Sequence, residues 1–120
     1  MSIGSKLFIQ KMLLFLPSTV PAYEESVHRY GEALETIMIE DIFMPKITEL
    51  LKTKQDPELL TEIFHYFEQI SASDDHDLVD HIFSVTVLEI LGTDPCLLEA
   101  SKEYIGPQTM QLLQKAVASL

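Results

Sequence analysis

One hundred and twenty residues, 47% hydrophobic and 22% charged, make one domain (1–120) with a single core and exclude a disordered chain. A formal charge of −11 excludes a nucleic-acid binder, since no basic stripe is there to neutralise phosphates, and it repels anionic membranes. A lone Cys96 excludes an intrachain disulfide framework and fits a reducing compartment.

The first predicted element is an amphipathic helix over residues 5–16, ending before Pro17. Its uninterrupted apolar run, Met12 to Leu16, is shorter than the roughly 7–15 residues of a secretory core, so the chain is expected in the cytoplasm. No run approaches the length of a membrane span. Pro17-Ser18-Thr19-Val20-Pro21 reads as a loop. A second helix over 22–31 sets Tyr23, Val27, Tyr30 and Leu34 on one face. Residues 33–44 are ambiguous. Thr36-Ile37-Met38-Ile39 admits an extended segment, and Pro45 is expected to push Met44 out of the α region. Pro45 then suits the first turn of a helix over 45–54, with Ile47, Leu50 and Leu51 inward.

Asp56-Pro57-Glu58 is a strong helix start: a capping acid, proline at the first position, and a second acid in the first turn. Leu59, Leu60, Ile63, Phe64, Phe67 and Ile70 form its buried face as far as Ser71. Asp74 or Asp75 caps the next helix, which is expected to end at Leu91 before a left-handed Gly92. That helix is apolar on most sides and is expected at the centre of the packing. Asp94-Pro95 opens another helix, and Gly106-Pro107 closes it and opens the last. The fold class is therefore all-α, a single compact bundle of about six or seven helices. The two Asp-Pro-x-Leu-Leu starts lie 38 residues apart, with Tyr66 and Tyr104 at matching offsets. That spacing leaves HEAT-like helix hairpins as the alternative.

Candidate chemistry is sparse. Glu25…His28 and Glu62…His65 have the Glu-x-x-His spacing of di-iron bundles, but both pairs fall outside the apolar faces, whereas such sites project inward. In His76-Asp77-Leu78-Val79-Asp80-His81 two i, i+4 pairs have the spacing to clip a divalent ion. First-turn acids also suit the helix dipole, and no closed ligand set accompanies them. No metal and no cofactor is expected. There is no nucleophile elbow and no glycine-rich phosphate loop. Cys96, between Pro95 and Leu97-Leu98 with acids nearby, reads as a buried structural thiol. The chain is not expected to be an enzyme.

The charge is unevenly placed. From Asp56 to Ala100 there is no lysine or arginine, and the block 56–103 alone sums to −11, the charge of the whole chain. Glu58, Glu62, Glu68, Asp74, Asp75, Asp77 and Asp80 are expected on the exposed faces of two consecutive helices and their connecting turn. Tyr66, and further off Tyr104, would supply an aromatic anchor. Such a surface steers basic protein partners, or else serves only solubility.

The C-terminal half carries a recognisable pattern: Leu88-Glu89-Ile90-Leu91-Gly92, then Asp94, Leu97, Ala100 and Tyr104, then Ile105-Gly106-Pro107-Gln108-Thr109. Over about 50–120 it resembles small acidic all-helical bacterial proteins that read L-E-x-L-G, A-x-x-x-Y and G-P-x-T. Some of these look like immunity proteins encoded beside polymorphic or contact-dependent toxins. The resemblance implies an immunity-type protein that binds and neutralises a cationic toxin domain, a nuclease above all, and it transfers no catalytic residues. A helical regulatory or scaffold module binding an endogenous protein is the alternative. The oligomeric state is left open.

Overall fold

The helical pattern runs almost unbroken along the chain, and the computed structural model, which describes residues 3–118, is 84% helical with no strand among those residues. Residues 1–2 and 119–120 of the expected domain lie outside the described residues. Seven helices follow one another: α1 (Ile3–Phe15), α2 (Val20–Tyr30), α3 (35–53), α4 (Pro57–Ser71), α5 (His76–Thr93), α6 (Pro95–Ser101) and α7 (Pro107–Ala118). Three of them are capped by the side-chain carboxylate of their own N-cap residue. Asp56 accepts from the Leu59 N–H at 3.2 Å, Asp75 from Leu78 at 3.1 Å and Asp94 from Cys96 at 2.9 Å. Each satisfies a backbone donor that the helix itself leaves unpaired.

Three local expectations are corrected. Residues 36–39 are not extended: α3 runs continuously from Glu35 through Met44, which is helical at φ −65°, ψ −37°, and Leu34, just before the helix, is extended. The helix passes Pro45 because Ile39–Phe43 is π-helical, with the Met44 N–H reaching back to the Ile39 carbonyl. That wider turn relieves the clash a proline ring otherwise makes with the carbonyl four residues earlier. Gly92 is not a left-handed stop, for α5 continues through it to Thr93. Its bareness serves packing instead, since an added Cβ would collide with Val117 of α7. Cys96 is exposed, not buried. Leu97 takes the inward position and leaves the thiol on the outer wall of the first turn of α6.

α5 lies at the centre and touches α1, α3, α6 and α7. Phe83 of α5 meets Phe67 of α4 edge-on at 5.3 Å and Phe8 of α1 at 6.3 Å, and Phe64 meets Phe67 at 5.2 Å. Around these rings gathers one apolar core that includes Met12, Met38, Ile39, Ile47, Leu60, Leu88 and Leu91. The radius of gyration is 13.6 Å, which matches the roughly 13–14 Å of a compact chain of this length. The two Asp-Pro starts differ locally. Asp56 is left-handed (φ 48°) where Asp94 is extended (φ −105°), and the helices they open have 15 and 7 residues. They share cap chemistry, which any helix start can use. No single helix among the described residues is long and apolar enough to cross a membrane, and α6 turns away from α5 by 104°.

Candidate interaction site

α4 carries the site, and its two flanks behave differently. It lies between α1 and α7, with Leu60, Ile63, Phe64, Phe67 and Ile70 buried beneath it. Its outer strip consists of Glu58, Thr61, Glu62, His65 and Gln69, all exposed. On the α1 side Tyr66 is half-buried, its ring 6.1 Å from Phe8 and 5.9 Å from Phe15. The Lys11 ammonium lies 5.8 Å from its centroid, and burial raises the Tyr66 hydroxyl above the usual tyrosine pKa. Tyr66 thus forms the floor of a cleft, not a projecting anchor. Tyr104 packs on Phe64 at 5.9 Å.

On the α7 side the wet-face expectation for Glu68 is corrected. Glu68 is half-buried, and its carboxylate caps the start of α7 from another helix. One oxygen, Oε2, accepts from the Gln108 N–H at 3.0 Å; the other, Oε1, accepts from the Thr109 N–H at 2.9 Å and the Thr109 hydroxyl at 3.1 Å. The local reason is plain in Gly106-Pro107-Gln108-Thr109. Gly106 has no side chain with which to cap, and an added Cβ there would lie 2.5 Å from the Glu68 carboxyl carbon. Pro107 lacks the first N–H, so Gln108 and Thr109 present the orphan donors. Burial alone would raise the Glu68 pKa. The Thr109 and Gln108 N–H groups, the Thr109 hydroxyl and nearby His65 outweigh it, and the carboxyl sits below its ordinary value. Sequence reading missed this role because it joins residues 40 and 41 positions apart. The signal was present in the bare glycine before Pro107.

The turn between α4 and α5 divides in the same way. Asp75 is half-buried: besides capping α5 it lies against Gly4 in the first turn of α1, where an added Cβ would strike its carboxylate. Asp74, Asp77 and Asp80 are exposed. Asp80 has a loose contact with the His76 ring at 3.9 Å. The other ion pairs among the described residues are Arg29–Glu25, Lys46–Glu49 and Lys102–Glu99, none of which involves Glu58, Glu62, Asp74 or Asp77. The expected set of acids therefore separates into two groups. Glu68 and Asp75 hold helix ends, while Glu58, Glu62, Asp74, Asp77 and Asp80 face solvent.

The metal candidates do not assemble. Glu25 pairs with Arg29 at 3.0 Å, His65 lies 3.5 Å from Gln69, and no group of three or more His, Cys, Asp or Glu among the described residues could hold an ion. Cys96 lines the wall of an open groove of about 710 Å³ between the end of α3 and α6, opposite Lys52 and Lys54.

Fold and surface together define a class: a small all-helical protein in which four exposed acids, Glu58, Glu62, Asp74 and Asp77, have no ion pair among the described residues. The chain belongs to the family described as "Domain of unknown function (DUF7674)", which matches residues 9–118. No curated protein and no solved structure matches it.

Proposed function

We propose that this chain is an immunity-type protein that captures a basic protein, namely a cationic toxin domain, through Glu58, Glu62, Asp74, Asp77 and Asp80. The observation that carries the reading is that the first four are exposed carboxylates without a lysine or arginine partner among the described residues. Unpaired surface charges of one sign accelerate encounter with the opposite sign and lose no internal pairing when they bind. Glu68 and Asp75 contribute indirectly. Their caps fix the end of α4 and the start of α5, so the outer acids are presented on elements that need little ordering on association. A nuclease is the natural target, because the positive groove that holds its phosphates can be occupied by carboxylates. In this reading the chain does no chemistry, uses no metal or cofactor, binds neither nucleic acid nor membrane, and acts in the cytoplasm of the cell it protects.

The test is a triple reversal, Asp74→Lys with Asp77→Lys and Asp80→Lys, which spares the Asp75 cap. Association with its cognate toxin domain should slow by about 10–100-fold, and wild-type association should itself slow as salt rises toward physiological strength. Glu24→Lys with Glu25→Lys, on α2, should change neither. A triple variant that protects toxin-expressing cells as well as wild type does would sink the proposal.

A further inference from the structure

The outward face of α1 is unlike the rest of the molecule. Leu14 and Leu7, two turns apart on that face, are the most exposed large apolar side chains among the described residues, at 77% and 58%. Between them Lys11 leans toward α4, its ammonium 5.0 Å from the Phe15 ring and 5.8 Å from Tyr66. It lines a cleft of about 500 Å³ along the α1–α4 seam, together with Phe15, Tyr66, Glu62, His65 and Gln69. Lys11 and Glu62 thus share one cleft, yet no carboxylate among the described residues lies within 4 Å of the Lys11 ammonium. The seam has a base, Lys11, on the α1 side, with the exposed leucines beyond it, and one carboxylate, Glu62, on the α4 side, with Phe15 and Tyr66 between.

A surface carrying its own complement on either side of a line is what a two-fold axis along that line brings together. We infer that the chain forms an isologous homodimer through this seam. The axis runs along the α1–α4 cleft and sets α1 of each copy over α4 of the other. Lys11 then faces Glu62 of the second copy, and Leu14 enters the second copy's cleft over Tyr66 and Phe15. Both contacts occur twice. Local charge, not net charge, selects the second copy: its Glu62 carboxylate stands opposite each Lys11, and the pairing is made twice. Two helices of 13 and 15 residues offer a face about 20 Å on a side. That is below the ~800 Å² per partner of a standard stable interface, so the dimer is weak, with a dissociation constant of about 10–100 µM.

Sedimentation of the full chain from about 1 µM to about 500 µM should show reversible monomer–dimer exchange in that range. The dimer should tighten between about 10 mM and 150 mM salt, because screening removes long-range repulsion between two acidic bodies before it removes contacts at a few ångströms. This is opposite in sign to the salt response of toxin capture, so the two readings fail separately. Leu14→Glu, at a site too exposed to matter for folding, should weaken the dimer about a hundredfold, each copy losing a buried leucine. Lys11→Glu should weaken it about tenfold, and Lys11→Glu with Glu62→Lys in the same chain should restore it. A chain that stays monomeric at about 500 µM, whether or not it sediments with anionic vesicles, overturns the inference. So does a dimer indifferent to Leu14→Glu, or a swapped variant that fails to recover while its helical spectrum is intact.

Discussion

Glu62 and Glu68 stand on the same helix fewer than two turns apart, and they do opposite things. Glu68 leans toward α7, where two backbone N–H groups and a hydroxyl hold it. Glu62 is exposed on the outer strip with no ion pair among the described residues. The Asp74–Asp75 pair repeats the contrast in adjacent residues, one carboxylate free and one capping α5. The lesson is physical. A carboxylate becomes part of the fold when a neighbouring helix start points unsatisfied donors at it. Otherwise it adds only field, and the field is what a partner reads. The acidity of this chain is therefore two populations, separable by what their loss would do.

The largest effect should come from releasing the held carboxylate. Glu68→Ala should lower stability by about 1–3 kcal/mol, as expected for a charged group serving several donors, whereas the exposed acids should each matter far less. Gly106→Ala should reproduce most of that loss, because the new Cβ takes the space of the Glu68 carboxylate. The two are then not independent. Denaturant titration of the double variant should show it little worse than either single one, a coupling of about 1 kcal/mol. Simple additivity would mean that Gly106 and Glu68 act separately and that the cross-helix cap contributes nothing.

A smaller effect should appear with pH. The folded-state pKa of Glu68 is lowered, so its contribution is fully present above the unfolded carboxyl value of about 4.3 and is lost as pH falls through the lower folded value. The stability gap between wild type and Glu68→Gln should therefore be constant near neutrality and close progressively below about pH 4. A gap independent of pH down to the acid transition would show that hydrogen-bond geometry, not charge, carries the cap.

How much of this could be read from the chain follows from the range of the interactions. Asp56-Pro57 and Asp94-Pro95 were legible as helix starts because capping takes place within three residues. The inward face of α4 was legible because it rests on periodicity, and the central place of α5 because that helix is apolar on most sides. The continuity of α3 was not. A proline in a helical pattern argues for a boundary, and only the π-helical turn at Ile39–Phe43 lets the chain continue. Gly92 and Cys96 misled for a related reason: which wall another helix approaches is decided by tertiary packing. In the candidate site, periodicity placed Glu58 and Glu62 correctly on the wet face. It could not tell Glu68 from them, since the N–H groups that claim it lie forty residues downstream.

The smallest effect is the one that most sharpens the comparison. Replacing Glu58, Glu62, Asp74 and Asp77 singly by Gln or Asn should change stability by no more than about 0.5 kcal/mol each, because each is exposed and without an ion pair among the described residues. Their sum is more telling than any one of them. Neutralising all four removes like charges from a block that carries the entire net charge of the chain. The melting temperature should therefore rise, and rise more at low salt than at physiological salt, where exposed charges more than about 8 Å apart are screened. The measurement is melting temperature against ionic strength for the quadruple variant beside wild type. If the variant melts lower, or if salt leaves the difference unchanged, some of these acids hold structure after all. The division into held and free carboxylates would then have to be redrawn. If it melts higher, the chain keeps acids that weaken its own fold, which a partner's basic surface would explain and a stability requirement would not.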